Sequence, residues 1–122
     1  MSRVEDGSRA LLRVLAGTAR GPKRDGAFAV WLTARVAEGL ATGAASERAH
    51  RRRVQGLERR LTSLTLPPPL RRALGAAVAQ LRDGRVEGAD MVLTQLVAPV
   101  RDTLGAEAGD VLRRVAASVR ER

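Results

Sequence analysis

The sequence has no cysteine, tyrosine, asparagine or isoleucine, and only one histidine, one tryptophan and one phenylalanine among 122 residues. Without cysteine there is no disulfide framework, thiolate zinc site, iron–sulfur cluster or cysteine nucleophile. A single histidine removes multi-imidazole metal sites and most acid–base arrangements built on paired imidazoles. Long apolar runs are missing too. The nearly uncharged apolar run from Gly26 to Ala34 ends at Arg35, far short of the roughly 20 apolar residues a spanning helix requires. Glu5 and Asp6 stand where a signal or transit peptide would be basic. The expectation is a cytoplasmic protein without a membrane span.

What is present is ordinary in amount and one-sided in charge. With 44% hydrophobic and 29% charged residues, the chain has enough apolar content to fold, and its length fits one domain over 1–122. Its 22 Lys and Arg against 13 Asp and Glu give a net charge of +9, which draws polyanions or an acidic partner. Only one of those 22 is lysine, a choice that a GC-rich genome explains in part. Codon bias does not explain the charge excess, because Asp and Glu codons are available to such genomes as well. Residues 1–61 carry +7 and residues 62–122 carry +2, so the first half holds most of the basic surface.

Apolar residues recur at helical spacing throughout, and no strand-like alternation lasts four residues, which predicts an all-α bundle of five or six helices. The first helix is expected over about Ser8 to Ala19, on Leu11, Leu12 and Leu15. A turn, Gly21-Pro22-Lys23-Arg24-Asp25-Gly26, follows it. The second helix carries Phe28, Trp31, Leu32, Val36 and Leu40 as its core face and dissolves over Thr42 to Ala45. The third starts at Ser46 as N-cap and runs to about Leu64, on a narrow seam of His50, Val54, Leu57, Leu61 and Leu64. Pro67, Pro68 and Pro69 end it, with Pro69 suited to begin the next helix, which spans about Leu70 to Arg82 and stops at Asp83-Gly84. The fifth begins near Val86, with a kink or break near Leu96 because Pro99 removes a backbone donor. The sixth runs from about Asp110 to Arg120.

The two halves share an offset of 61 residues: Leu32, Thr33, Val36 and Ala37 match Leu93, Thr94, Val97 and Ala98. This raises a possible duplication of a three-helix unit, with halves 1–66 and 67–122, although a chain of Ala, Leu, Arg, Val and Gly also produces such matches by chance.

The sharpest motif is RAHRRRVQGLERR, Arg48 to Arg60. At about 100° per residue, Arg48, Arg52 and Arg59 fall opposite the seam, with Arg51, Arg53 and Arg60 on the flanks. From Arg48 to Arg59 the helix rises roughly 16 Å, and guanidinium forks suit phosphate oxygens. The bland alternative is a solvated basic face partly neutralised by Glu47 and Glu58. No asparagine is present to read adenine, and few aromatics to stack on bases, which argues against base-specific recognition. His50 reads as a core-edge or partner-contact imidazole, and Trp31 as a core residue. Lys23 in GPKRDG fails as a phosphate loop, since Arg24 replaces the required Ser or Thr and no strand precedes it. Glu87, Asp90 and Asp110 are explained by helix N-termini, and no metal or cofactor is expected.

The sequence therefore predicts a small, non-catalytic basic subunit that contacts the RNA or DNA phosphate backbone without sequence preference through Arg48, Arg51, Arg52, Arg53, Arg59 and Arg60, within a larger ribonucleoprotein or defence complex. The alternative is a helical adaptor or self-assembling scaffold whose Arg face docks an acidic protein surface. In size, helicity and basicity the chain is similar to the small helical subunits of RNA-guided effector complexes, an analogy that no motif carries.

Overall fold

Proline at the first position of a helix sacrifices no hydrogen bond, because the first N–H groups have no partner inside the helix anyway. In the computed structural model of the chain, which describes residues 9, 13, 22–43, 46–84 and 88–120, the helix α1 starts in this way and spans Pro22–Thr42. The expected turn over residues 21–26 is thus corrected: Lys23 to Gly26 are helical, and Asp25 places a negative charge in the first turn, where it opposes the positive end of the helix. The expected helix over 8–19 lies outside the described residues, apart from positions 9 and 13.

Four further helices follow: α2, Glu47–Ser63; α3, Pro68–Arg82; α4, Ala89–Leu104; and α5, Ala106–Arg120. The described residues contain no strand, so the all-α expectation holds. Helix α3 begins at Pro68, one residue before the expected Pro69, because both prolines are accommodated in the first turn. It ends as expected, at Asp83-Gly84, where Gly84 takes φ 69°, a conformation costly for a residue with a Cβ. Helix α4 is described from Ala89 rather than Val86; residues 85–87, including Glu87, lie outside the described ones. It runs without a break through Pro99, so the break, one form of the irregularity expected near Leu96, does not occur. The carbonyl that loses its donor belongs to Gln95, whose exposed position lets water replace the missing N–H. Helix α5 starts at Ala106 rather than Asp110, since Gly105 with φ 107° reverses the chain within one residue.

Helix α4 packs against α1, α3 and α5. Its Val92, Leu93, Leu96, Val100 and Leu104 join Leu70, Leu74 and Leu81 of α3 and Leu112 and Val115 of α5 in one core. Ion pairs close the α4–α5 hairpin at both ends, Arg101 to Asp110 at 2.9 Å and Arg120 to Asp90 at 3.0 Å. Asp110 therefore serves as a cross-helix partner and not as a helix opener.

Helix α1 buries a face of small residues, Ala27, Ala29, Val30, Thr33, Ala34 and Ala37. The expected core face of Phe28, Trp31, Leu32, Val36 and Leu40 is corrected in part: the last four pack against the core from its margin. Phe28 is 37% exposed, and Trp31 and Leu32 are only partly covered. Small side chains let the helix axis come close to its neighbours, and the large ones are pushed outward by the same approach. Gly26 marks that closeness: a Cβ there would lie 2.8 Å from Leu70 Cδ2.

The internal similarity at 61 residues is not matched by packing. Ala34 and Ala37 are buried, whereas their counterparts Gln95 and Ala98 are exposed.

Two helical glycines give a test of opposite signs. At Gly109 of α5 a Cβ would meet Arg101 Cβ at 2.8 Å and Arg101 Cα at 3.3 Å, atoms fixed to the α4 backbone. Gly109→Ala is expected to destabilise by about 1–3 kcal/mol through overpacking. At Gly75 of α3 a Cβ meets nothing within 4 Å, so Gly75→Ala should stabilise by up to about 1 kcal/mol through helix propensity. Urea unfolding of the two variants checks the pair; equal signs would contradict the α4–α5 approach.

Candidate nucleic-acid interface

Ser46 starts α2 as expected: its Oγ accepts the Ala49 N–H at 3.1 Å, satisfying one of the orphan donors of the first turn. His50, Val54, Leu57 and Leu61 then form the buried seam. His50 Nε2 donates to the Leu81 carbonyl at 2.8 Å, which assigns the proton to Nε2 because a carbonyl only accepts. The imidazole is thus a satisfied core group that ties α2 to α3. At the other end, Arg71 of α3 donates to the Leu64 carbonyl at 2.8 Å and reaches the Leu61 carbonyl at 3.5 Å. Asp25 Oδ2 accepts the Thr65 N–H at 2.8 Å. The helix that carries the arginines is held at both ends.

Burial of the seam turns Arg48, Arg51, Arg52, Arg53, Arg59 and Arg60 outward, and all six are exposed. Their acidic neighbours are occupied. Glu47 pairs with Arg51 at 3.0 Å, and Glu58 pairs at 3.0 Å with Arg82 from α3. Neither carboxylate neutralises Arg48, Arg52 or Arg59, which make no ion pair with any described residue. Arg51 differs from the other five in being tied to its own helix. That tie is weak, since an exposed pair is worth about 0–1 kcal/mol.

The six do not form one patch. Arg48, Arg52 and Arg59 occupy the outer face, whereas Arg53 and Arg60 lean toward α1. The Arg60 guanidinium carbon lies 5.9 Å from the centre of the Phe28 ring, and Arg53 Nη1 would be 2.7 Å from a Cβ on Gly39. From α1, Arg35 places its guanidinium carbon 5.9 Å from the Trp31 ring centre while its Nη1 stands 3.8 Å from Glu38 Oε2. Between the helices runs an open cleft of about 420 Å³, with Leu32, Val36, Gly56 and Leu57 as its apolar part and Arg35, Arg53 and Arg60 as its charged part. Phe28 and Trp31, with ring centroids 6.5 Å apart and planes inclined by 28°, do not line it themselves but lie beneath the guanidinium groups of Arg60 and Arg35, which do.

Reasoning on α2 alone misses Arg35, because its membership depends on how α1 crosses α2. The spacing of Trp31 and Arg35, four residues apart on one helix face, is the local signal that could have found it. Among the described residues no group of acidic or histidine side chains could hold a metal ion, and no helix is long and apolar enough to cross a membrane. No known family model, curated protein or solved structure matches the chain.

Proposed function

We propose that the protein is a non-catalytic subunit that binds the phosphate backbone of RNA or DNA without sequence preference, through the exposed face of α2. The observation that carries this reading is the division of charge on that helix. Glu47 and Glu58 are engaged by Arg51 and Arg82, which leaves Arg48, Arg52 and Arg59 as a stripe of guanidinium groups ion-paired to no described residue. Such groups neutralise phosphates and release condensed counterions, a driving force independent of base identity. Their fork geometry fits phosphate oxygens with two parallel hydrogen bonds.

The test is a titration of labelled RNA and DNA of unrelated sequence at several salt concentrations. The expected result is binding at low salt, similar affinities across sequences and a negative slope of log affinity against log salt. Absence of binding at low salt, together with capture by an acidic protein surface, would move the arginine face to the adaptor role.

A further inference from the structure

The sequence holds only two aromatic side chains, and neither is fully buried. A folding chain gains most by covering its largest apolar rings. Here Phe28 stays 37% exposed, and Trp31 beside it is only partly covered. Each ring carries a guanidinium group that lines the cleft between α1 and α2, Arg60 over Phe28 and Arg35 over Trp31, and Arg53 lines the same cleft. Scarcity of aromatics argues against base stacking when they are counted over the whole chain, but their placement reverses that argument. Stacked rings, guanidinium planes and phosphate-binding charge are the three ingredients of surfaces that hold unpaired nucleotides, since every base has a face to stack and every nucleotide a phosphate to pair.

Resting on the reading of α2 as a polyanion face, we infer that the cleft between α1 and α2 binds an unpaired nucleotide, so that the nucleic acid the protein holds is single-stranded. The base lies against the shelf of Phe28 and Trp31, and its phosphate lies between Arg53, Arg60 and Arg35. A volume of about 420 Å³ falls within the range of small-ligand sites and leaves room for one nucleotide. A base within a duplex cannot enter, because both of its faces are already stacked. The outer stripe of Arg48, Arg52 and Arg59 then follows the adjoining backbone of the same strand.

Trp31 is the only tryptophan and there is no tyrosine, so intrinsic fluorescence reports this shelf alone. The full chain is titrated at low salt with an oligothymidylate of about 15 nucleotides, within the length one such surface covers, with an abasic strand of equal length, and with a duplex. The oligothymidylate should quench Trp31 and bind about tenfold more tightly than the abasic strand, the effect of one stacked base; the duplex should bind without quenching. Gly56→Leu fills the cleft from a position whose Cβ meets nothing within 4 Å, with every arginine kept. It should abolish quenching and lower oligothymidylate affinity about tenfold. Phe28→Ala should lower it to a similar degree, and circular dichroism verifies that each variant is folded.

Equal binding of the strands and the duplex with unchanged Trp31 emission would overturn the inference while leaving the arginine face standing. Quenching that survives Gly56→Leu would overturn the assignment to the cleft. Polyglutamate that quenches Trp31 and displaces the strand would give the cleft to a protein ligand. Absence of binding by every nucleic acid would remove the proposed function and this inference together.

Discussion

On the proposed reading, the triple variant Arg48→Gln, Arg52→Gln, Arg59→Gln should fold as the parent does and bind nucleic acid with a salt slope shallower by about 2 to 3 units, at roughly 0.7 to 0.9 for each phosphate no longer neutralised. The two halves of this expectation rest on separate observations. Folding survives because the three side chains are exposed and ion-paired to no described residue, and glutamine keeps the helix propensity and most of the aliphatic stem. Binding weakens because three cations that release counterions are gone. The loss should be nearly the same for unrelated sequences, which separates phosphate binding from base reading. As a control, Arg101→Gln removes a cation already paired with Asp110 and should leave the slope unchanged. An unaltered slope in the triple variant would exclude the outer face of α2 from binding.

The largest effect on stability is expected at Leu93→Ala. Leu93 is fully buried on α4, which packs against α1, α3 and α5. Removing its isobutyl group from such a position leaves a cavity that cannot collapse from any side, which places the loss at about 3–5 kcal/mol, in the upper part of the usual range. For a domain of this size that is a sizeable share of a total of roughly 5–15 kcal/mol and lowers the midpoint by roughly 10–20 °C. Met91, two residues earlier and 53% exposed, is the control: Met91→Ala should change stability by less than about 0.5 kcal/mol. Thermal and urea unfolding followed by far-ultraviolet circular dichroism measures both. A smaller loss at Leu93 than at Met91 would mean that α4 is not the centre of the packing.

The parts of the fold legible in the sequence are those fixed by local chemistry. Ser46 as N-cap, the seam from His50 to Leu61, the prolines at 67–69 and the stop at Gly84 all act within one or two turns, so their residue types suffice. The face of α1 was not legible. Scoring by hydrophobicity favours Phe28, Trp31 and Leu32, yet what decides the face is how closely α1 approaches α3 and α4, and that favours Ala34, Ala37 and Gly26, whose smallness looks neutral in a sequence. GPKRDG misled for a related reason. Glycine and proline mark turns by default, but Pro22 fits a helix start and Gly26 a close approach. Of the site, the outer stripe could be read from helical phase alone. The cleft could not, because it joins Arg35 of α1 to Arg53 and Arg60 of α2 through tertiary pairing.

The anchoring of α2 has a consequence for the entropy of association. Its first turn is capped by Ser46, its seam is pinned to Leu81 through His50, and the chain leaving it is gripped by Asp25 and Arg71. Fraying is thereby suppressed at the two places where helices ordinarily open, and its interior amides should exchange with solvent only when the whole fold opens. A polyanion arriving at this helix meets a comb whose spine is already ordered, and only the arginine rotamers remain to be immobilised, at about 0.5–1.5 kcal/mol each. Disordered basic segments offer the same charges but must first be ordered along their backbone. On the proposed reading that cost is already met by folding, and a polyanion would be held through few groups and released quickly when the salt rises.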